Sequence, residues 1–261
     1  MTHSKVALIT GASSGIGESF AYALAEQGYG LILTARRKDN LERIKSDILA
    51  KYKCSVYVIP CDLSKPEAPG KLFEDVYSSG MQVDLLINNA GYGLNGEGVD
   101  LDQNSQLEMI DLNCRSLAFL STKFGLQMKS RKSGSIINVA SIGGFSPTPY
   151  FAIYGATKAF VLSFSQALAE ELKFYDVHVL ALCPGATSTE FEQSSNFSGK
   201  MPPKWAFQTS EEVVKEGLIG LAERKTVVVT GRHNRLATRL QKFLPSRIVI
   251  SAAAKSMKPI K

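Results

Sequence analysis

The chain has 261 residues, of which 44% are hydrophobic, and it carries a formal net charge of +6. A chain of this length and composition can bury a sizeable core, which excludes intrinsically disordered and fibrous proteins. Its four cysteines show neither CxxC nor Cys/His ligand spacing, so no disulfide framework and no metal site are predicted. They are Cys54, Cys61, Cys114 and Cys183.

The positive charge lies at one end of the chain. Residues 232–261 contain eight Lys or Arg and no Asp or Glu, so this segment carries +8 and residues 1–231 carry −2. This separation argues against a basic groove across the whole molecule. We therefore expect no nucleic-acid partner.

The sequence shows no targeting or membrane-spanning segment. The first residues, MTHSKVALIT, run directly into a β-type segment, without the apolar core and cleavage site of a secretory signal. No window approaches the roughly 18 continuous apolar residues of a membrane span. We therefore expect a cytoplasmic protein.

Apolar, β-branched segments alternate with segments of helical periodicity along the chain. The predicted strands are Val6–Thr10, Gly30–Arg36, Ser55–Cys61, Val83–Asn88, Ser135–Ala140, Val177–Cys183 and Thr226–Thr230. The predicted helices lie near Gly15–Gln27, Asn40–Tyr52, Pro66–Ser78, Ser105–Lys129, Tyr154–Phe174 and Glu211–Arg224. Strands separated by helices imply right-handed crossovers and a parallel sheet with helices on both faces.

Because no linker divides this series, we predict one α/β domain with a doubly wound, seven-stranded parallel sheet, the Rossmann fold. The domain covers residues 1–231, including a polar loop at 188–208, and a basic helical extension at 232–261 packs on it. In such a sheet, ligands bind beyond the carboxyl ends of the strands. The residues that follow each strand are therefore the candidates for a functional site.

The residues after the first strand, TGASSGIG, place three glycines at GxxxGxG spacing. Glycine permits positive φ and a close approach of the backbone, while a helix N-terminus offers free N–H groups to a pyrophosphate. We predict a dinucleotide site formed by Gly11, Ser13, Ser14, Gly15, Ile16 and Gly17. A tight strand-to-helix turn that uses glycine only for packing is the alternative.

The end of the second strand, Thr34-Ala35-Arg36-Arg37, indicates which dinucleotide is bound. A free ribose 2′-hydroxyl is usually met by Asp or Glu at this place, and a 2′-phosphate by Arg. Because Arg36 and Arg37 can pair with a phosphate and no carboxylate is present, we predict NADP(H) as the cofactor. Arginines that only solvate a loop are the alternative.

The third and fourth predicted strands end in residues that suit the same cofactor. Asp62, in the CDL segment, is placed to accept a hydrogen bond from the adenine amino group. In the NNAG segment, Asn89 is a candidate cofactor contact, and Ala90 and Gly91 keep the sheet edge low enough for a flat ring. Asn89 has an alternative role, as a side chain that ties neighbouring strands together.

Ser141 ends the fifth predicted strand, and Tyr154 and Lys158 follow on the next helix. The i, i+4 spacing brings the phenol and the ammonium to one helix face, as a proton-transfer pair requires. A free tyrosine titrates near ~10. A neighbouring Lys⁺, helped by the cationic ring of an oxidised nicotinamide cofactor, is expected to bring that pKa toward the working range. Ser141 can then hold the substrate oxygen by a hydrogen bond.

These motifs occur together in the order and approximate spacing of the short-chain dehydrogenase/reductase family, which the sequence resembles over about residues 5–231. The resemblance rests on TGASSGIG, NNAG, Asn113, Ser141, YGATK and Pro184-Gly185. It implies that Tyr154 is the general acid in carbonyl reduction and that Ser141 orients the carbonyl. It also implies that Lys158 binds the nicotinamide ribose and lowers the pKa of the tyrosine.

The same resemblance assigns roles to two further parts of the chain. Asn113, on the long helix before the fifth strand, resembles the asparagine that helps to hold a water in a proton relay. Pro184, Gly185 and Thr189 resemble the PGxxxT segment that lies along the nicotinamide, and Thr187 stands where the family often has Ile or Val. Without the resemblance, Asn113 would be interpreted as a helix-interior residue bonded to backbone.

The segment Ser188–Gln208 is too polar and proline-broken to be a long core helix. Its aromatic residues, with neighbours in the 92–98 loop and after the fifth strand, are candidates for a mobile lid with apolar contacts. They are Phe145, Tyr150, Phe191, Phe197, Trp205 and Phe207. A bulky, apolar substrate follows as a hypothesis, with aromatics that merely pack the loop onto the body as the alternative.

Together these features predict an NADPH-dependent carbonyl reductase, or secondary-alcohol dehydrogenase, that transfers hydride between nicotinamide and a ketone or aldehyde. The favoured substrates resemble an aryl ketone or a hydroxysteroid. Two alternatives stay open: a reductase of 3-oxoacyl thioesters, and a non-catalytic NADP(H)-binding regulatory protein.

Beyond the seventh predicted strand, Leu236, Leu240, Phe243 and Leu244 lie at helical spacing among basic residues. A basic amphipathic helix can contact an anionic membrane surface or an acidic partner, or it can pack on the body of the enzyme. We favour packing over a membrane contact. Ordinary members of the family are dimers or tetramers built on the long helices, but this tail can cover such a surface, so a homo-oligomer stays open.

Overall fold

The computed structural model describes residues 5–191, 195 and 197–259. Its strands are β1 (Val6–Thr10), β2 (Gly30–Thr34), β3 (Val56–Val58), β4 (Leu85–Asn88), β5 (Gly134–Val139), β6 (Val177–Cys183) and β7 (Val227–Val229). Its helices are α1 (Gly15–Glu26), α2 (Lys38–Lys51), α3 (Ala68–Ser78), α4 (Gln103–Ile110), α5 (Leu117–Arg131), α6 (Ala152–Leu172), α7 (Ser210–Ala222), α8 (Arg232–Leu240) and α9 (Ser246–Met257). A π-helical segment, Asp111–Ser116, joins α4 to α5.

The seven strands are parallel and form one sheet in the order β3-β2-β1-β4-β5-β6-β7. The chain winds outward from β1 to β3 and then crosses to β4, which pairs with the other side of β1. Such a reversal opens a crevice at the carboxyl ends of the two central strands, where ligands of this fold bind. The predicted doubly wound, seven-stranded parallel sheet is confirmed.

Side chains along each strand alternate between two apolar layers, as an extended chain requires. In β1, Ile9 faces the layer formed with α1, α2 and α7, whereas Leu8 faces the layer formed with α3, α5 and α6. Phe20 of α1 and Phe124 of α5 are almost fully buried, one in each layer. Helices therefore cover both faces of the sheet and hold the carboxyl ends of the strands in place.

A cluster of buried polar side chains joins the two strands next to the crevice. Asn88, the last residue of β4, donates 2.9 Å hydrogen bonds to Oδ1 of Asn138 in β5 and to Oγ of Ser121 in α5. Asn138 donates in turn to Oγ of Ser165 in α6, at 3.0 Å. Because a buried amide is costly unless it is hydrogen-bonded, these contacts fix how two strands and two helices meet.

Two elements differ from the sequence-based prediction in ways that bear on the site. The predicted helix Ser105–Lys129 is divided, because the wider turns of the π-helical segment interrupt it around Asn113. β2 ends at Thr34, so Arg36 and Arg37 lie in the connection to α2 and not in the strand. Both arginines are therefore carried by a loop at the edge of the crevice.

The C-terminal extension forms α8 and α9, and α8 contacts the domain through polar side chains. Asn234 and Thr238 are buried, whereas Leu236 and Leu240 are 59% and 54% exposed. The leucines whose spacing favoured packing therefore face away from the domain. None of the helices within the described residues combines the length and apolar character needed to cross a bilayer.

Candidate active site

The turn between β1 and α1 has the backbone shape that its glycines predict. Gly11 and Gly15 have φ values of +64° and +55°, in the left-handed region that glycine adopts at little cost. α1 begins at Gly15, and its N-cap residue Ser14 makes no side-chain capping hydrogen bond. The N–H groups of the first helical turn are therefore left without a capping side chain, as an anion site requires.

Gly17 leaves room for contacts that join β1 to β4. A Cβ at Gly17 would lie 2.2 Å from the carbonyl oxygen of Gly11 and 2.6 Å from Nδ2 of Asn89. Asn89 Nδ2 donates to the carbonyl oxygens of Thr10 and Gly11, at 3.0 and 3.2 Å. The backbone N–H groups of Asn89 and Ala90 both donate to Oγ1 of Thr10. These are the bonds of a side chain that ties neighbouring strands together.

Arg37 lies against the glycine turn. Its Nη2 donates to Oγ of Ser14 at 2.7 Å and to Oγ of Ser13 at 3.2 Å, and its Nη1 forms a 2.8 Å ion pair with Glu190. Arg36 is exposed and makes no hydrogen bond or ion pair within the described part of the chain. The structure thus brings Ser13, Ser14 and Arg37 together, and Glu190 joins them without any signal in the sequence.

Three further candidates from the sequence lie at the carboxyl edge of the sheet. Asp62 accepts hydrogen bonds from the N–H and the hydroxyl of Ser64, at 3.1 and 2.8 Å, which orient its carboxylate. A Cβ at Gly91 would lie 2.9 Å from Oδ1 of Asn113, so glycine is needed where the chain after β4 passes that side chain. The side chain of Ile16 packs against the apolar layer formed with α1, α2 and α7, which leaves its backbone for a ligand.

Ser141, Tyr154 and Lys158 meet where β5 gives way to α6. Tyr154 is the third residue of α6, and Nζ of Lys158 lies 5.7 Å from the centroid of its ring. Lys158 is buried and donates a 2.8 Å hydrogen bond to the carbonyl oxygen of Val139, the last residue of β5. Ser141 accepts a 3.0 Å hydrogen bond from the N–H of Gly143, which holds its hydroxyl beside the tyrosine.

Burial shifts the pKa values of both Tyr154 and Lys158. Burial raises the pKa of Tyr154 to about 12, and the hydrogen bond with Ser141 opposes this shift. Burial also lowers the pKa of Lys158 to about 8, while the nearby thiols of Cys114 and Cys183 oppose that change. The lowering of the tyrosine pKa by Lys158 and an oxidised cofactor stays a prediction, because these shifts belong to the protein without its cofactor.

Asn113 lies in the π-helical segment, a feature often found at functional sites. Its Nδ2 donates to the carbonyl oxygen of Tyr92 at 2.9 Å and to Oγ1 of Thr157 at 3.1 Å. Its Oδ1 accepts from the N–H of Tyr92 at 3.2 Å. Asn113 therefore holds the loop after β4 against Thr157 of α6, the residue before Lys158. Its role in a water relay stays a prediction.

The segment after β6 runs between the glycine turn and the reacting centre. The carbonyl oxygen of Pro184 accepts from the N–H of Ile142, and a Cβ at Gly15 would lie 3.0 Å from Cγ2 of Thr189. Thr187 pairs with Gln208 in a parallel β-bridge, which closes the base of the intervening loop. These contacts fix the two ends of the PGxxxT segment, and its contact with a cofactor stays a prediction.

Two side chains that the sequence did not single out complete this region. A Cβ at Gly185 would lie 2.3 Å from Nδ2 of Asn234, so the C-terminal helix α8 supports the PG segment from behind. Gln208, which is buried, accepts from the hydroxyl of Thr230 and donates to Oε1 of Glu216 at 3.0 Å. Both residues contact partners far away in the sequence.

Aromatic rings surround Tyr154, but not all of those that the sequence indicated. The ring of Phe191 lies 5.3 Å from that of Tyr154, and Phe151 lies 5.7 Å from Tyr154 and 5.9 Å from Phe197. Trp205 is 73% exposed and packs on His233 of α8, and its place in the lid stays a prediction. The predicted loop also includes residues 192–194 and 196, which lie outside the described residues.

The remaining aromatic candidates make no ring contact with Tyr154 among the described residues. Phe145 packs against the apolar cluster beneath the end of β5, and Phe207 is partly buried without a ring partner among the described residues. Tyr150 has a φ of +64°, and its carbonyl oxygen accepts from the N–H of Gly96 and from Nδ2 of Asn95. These two bonds hold an unusual backbone conformation four residues before Tyr154.

Comparison with protein families and curated proteins agrees with this geometry. Residues 5–198 match the family model described as short chain dehydrogenase. A very-long-chain 3-oxoacyl-CoA reductase of Phaeosphaeria nodorum is 37% identical over 177 residues. That match covers 66% of this chain and 52% of the fungal protein, so the matched segment spans about half of its relative.

Two solved structures resemble the whole fold. A short-chain dehydrogenase from Sphingobium yanoikuyae, in complex with NADPH, superposes with a TM-score of 0.84 at 31% identity, over 95% of each chain. A bulky-bulky ketone specific alcohol dehydrogenase from Comamonas testosteroni superposes with a TM-score of 0.78 at 32% identity, over 93% of this chain and 94% of that one. Both similarities cover the whole sheet, and not only the strands next to the predicted dinucleotide site.

Proposed function

The chain belongs to the short-chain dehydrogenase/reductase family of oxidoreductases, and on this basis we propose that it is an NADPH-dependent carbonyl reductase acting on bulky, apolar ketones or aldehydes. The reverse reaction is the oxidation of a secondary alcohol. The observation that carries the proposal is the meeting of Tyr154, Ser141 and Lys158 at the crevice, beside the glycine turn.

The residues of the crevice fit a phosphorylated dinucleotide. Gly11 and Gly15 have left-handed backbones, the first turn of α1 has no side-chain cap, and Arg37 is bonded to both serines of the turn. Arg36 and Arg37 suit a 2′-phosphate, and the structural relative from Sphingobium yanoikuyae was solved with NADPH. These features support NADP(H) over NAD(H).

In the proposed reaction, bound NADPH supplies the hydride to the carbonyl carbon. The phenol of Tyr154 donates its proton to the carbonyl oxygen as negative charge develops there, and the hydroxyl of Ser141 donates a hydrogen bond to the same oxygen. A tyrosine pKa of about 12 keeps the phenol protonated at neutral pH, which is the form that donates a proton. Lys158, held by Val139, has two further N–H groups for the ribose of the cofactor.

The aromatic rings around Tyr154 support a bulky substrate. Phe151, Phe191 and Phe197 form an apolar wall next to the acid, and apolar surface of this kind binds rings better than small polar carbonyls. The relative from Comamonas testosteroni is described as specific for bulky-bulky ketones.

All four cysteines are unpaired, which supports a reducing compartment such as the cytoplasm.

NADPH oxidation, followed by absorbance with an aryl ketone, a steroid ketone and a small aliphatic ketone, tests the proposal. We expect turnover with the bulky ketones, at a higher kcat/KM with NADPH than with NADH, and loss of turnover in Tyr154→Phe. Tyr57→Phe, at a half-exposed position in β3, is the matched control and should be unaffected. Tight NADPH binding without turnover on any carbonyl would contradict the enzyme and favour a regulatory protein.

A second variant examines the aromatic wall. Phe151→Ala should raise KM for the aryl ketone by about tenfold and leave the value for the small ketone nearly unchanged, because the lost contact is with the ring. Equal effects on both ketones would show that Phe151 only packs the loop.

A reductase of 3-oxoacyl thioesters is the second candidate, favoured by the similarity to the very-long-chain 3-oxoacyl-CoA reductase. Acetoacetyl-CoA distinguishes it from the first candidate. A kcat/KM for acetoacetyl-CoA well above that for every plain ketone would replace the first candidate with the second.

A further inference from the structure

Five apolar residues of the C-terminal extension are exposed on α8, the turn after it and the start of α9. We call them the apolar stripe. They are Leu236 (59% exposed), Leu240 (54%), Phe243 (87%), Leu244 (49%) and Ile248 (54%). Exposed apolar side chains grouped within one short segment often mark a contact with another molecule or with a membrane.

The stripe faces outward because α8 is held by its opposite side. Leu236 and Leu240 each follow a buried polar residue by two positions, about 200° around the helix. These polar residues, Asn234 and Thr238, contact the domain, and Asn234 lies directly behind Gly185. Arg235, beside them, pairs with Glu216 of α7. Turning the stripe inward would break these contacts, so its exposure follows from how the helix is attached.

The charges that the extension itself carries are all positive. Residues 232–261 contain no acidic residue. Arg232, Arg239, Lys242 and Arg247 are all exposed, and none of them lies in an ion pair within the described part of the chain. A second copy docked by the same face would bring two segments of +8 against each other across a two-fold axis, which opposes a symmetric dimer through this surface.

We propose that the apolar stripe binds the surface of an anionic phospholipid bilayer. The leucines and Phe243 enter the boundary between headgroups and acyl chains, and the flanking arginines and lysines contact the lipid phosphates and carboxylates. Trp205, which is exposed and packs on His233 at the start of α8, lies where aromatic side chains favour the membrane interface. The helix lies on the bilayer and does not cross it.

α9 connects this surface to the substrate cleft. Its first half carries Ile248, and its last residue, Met257, lies about 14 Å along the helix. The carbonyl oxygen of Met257 accepts from Nδ2 of Asn95, and that of Ser256 accepts from the N–H of Lys200, in the loop next to Phe197. Attachment through the stripe therefore holds the cleft within one short helix of the bilayer.

Sedimentation of the full chain with vesicles tests the proposal. We expect vesicles of phosphatidylserine in phosphatidylcholine to bind the protein at least about tenfold more strongly than vesicles of phosphatidylcholine alone, with binding that weakens as salt rises. Phe243→Ser should reduce binding by about tenfold. Phe174→Ser is the matched control, because Phe174 is 80% exposed in the turn before β6, at the amino end of that strand, whereas α8 follows the carboxyl end of β7.

A second pair of variants tests the charges. Arg239→Gln combined with Lys242→Gln should weaken binding to the anionic vesicles by about tenfold or more. Lys53→Gln combined with Lys215→Gln removes the same charge from exposed positions elsewhere and should have no such effect. Thermal unfolding of each variant checks that the fold is kept.

Three results would overturn the proposal. One is equal binding to both kinds of vesicle, or no binding to either. Another is an equal loss of binding in the control variants. The third is a dimer in sedimentation velocity that Leu240→Ser dissociates while vesicle binding is absent, which would assign the stripe to a second copy of the chain.

Discussion

Arg37 and Glu190 form a 2.8 Å ion pair that joins the loop after β2 to the segment after β6. The guanidinium holds the pKa of the Glu190 carboxyl below its usual range. Arg37 also donates to the hydroxyls of Ser13 and Ser14, so the carboxylate occupies an anion position beside the glycine turn. A 2′-phosphate that pairs with Arg37 has to compete with this carboxylate.

Glu190→Gln should therefore strengthen NADPH binding. Both side chains are about half exposed, and an exposed ion pair is worth less than about 1 kcal/mol, so we expect the dissociation constant for NADPH to fall about threefold. The constant for NADH should not change, because NADH has no 2′-phosphate. Fluorescence titration measures both, with Glu74→Gln on α3 as the control. An equal gain for NADH would mean that the carboxylate repels the pyrophosphate instead.

Arg36→Gln should lower the preference for NADPH over NADH. Arg36 has no partner within the described residues, so its guanidinium is available to a phosphate, and a hydrogen bond to a charged group is worth about 1.5–3 kcal/mol. The ratio of kcat/KM values for the two cofactors should fall at least about tenfold, through KM for NADPH. An unchanged ratio would show that Arg36 only solvates its loop.

Gly17→Ala should destabilise the protein and weaken NADPH binding by more than about tenfold. The new Cβ would lie 2.2 Å from a backbone oxygen of Gly11, so the glycine turn has to move, at a cost of about 1–3 kcal/mol. Gly70→Ala is the matched control: in α3 the nearest atom is 3.8 Å away, and alanine should stabilise that helix by about 0.5–1 kcal/mol. Urea unfolding measures the stability of both variants, and fluorescence titration measures NADPH binding. Similar stabilities for the two variants would contradict the steric argument.

Lys158→Met should alter how stability depends on pH. Burial lowers the pKa of Lys158 from 10.5 to about 8, so between these values the unfolded chain binds more protons than the folded one. The free energy of unfolding of the wild type therefore gains a contribution that rises with pH between about 8 and 10.5 and is absent below pH 8.

The variant lacks this contribution. Its stability relative to the wild type should be highest near pH 7 and fall by up to about 3 kcal/mol toward pH 10.5. Tyr154 is present in both proteins, so its own titration largely cancels. Urea unfolding at several pH values measures the difference, and parallel curves for the two proteins would show that Lys158 is not buried in its charged form.

Local patterns predicted much of the fold and the first half of the site. The glycine turn depends on consecutive residues, and the left-handed backbones of Gly11 and Gly15 are what that pattern requires. The strand and helix order likewise follows from periodicity within short windows. Tyr154 and Lys158 were predictable because their spacing alone places them on one helix face.

Contacts between distant parts of the chain were not predictable in this way. The bond from Asn88 to Asn138 joins residues 50 positions apart, and neither residue carries a local signal for it. Asn234 supports Gly185 from α8, a helix that lies beyond the residues matching the family model. The tyrosine pKa depends on how deeply the surrounding chain buries the ring, which spacing does not reveal.

Periodicity also failed to give the orientation of the C-terminal helix. The spacing of Leu236 and Leu240 correctly indicates one apolar side, but not whether that side faces the domain or the surroundings. The answer lies in Asn234 and Thr238, which are buried on the opposite side, where Asn234 donates to the carbonyl oxygen of Thr230.

The β-bridge between Thr187 and Gln208 allows the intervening loop to be exchanged without moving the reacting centre. Because the two ends of the intervening loop are pinned side by side, its length can change at low cost: each doubling costs only about 0.6 kcal/mol of closure entropy. A loop transplanted from a relative with different substrates should therefore be accepted at this junction. Ser141, Tyr154 and Lys158 would stay in place, provided that the transplant keeps Thr189 and Glu190, which contact the glycine turn and Arg37.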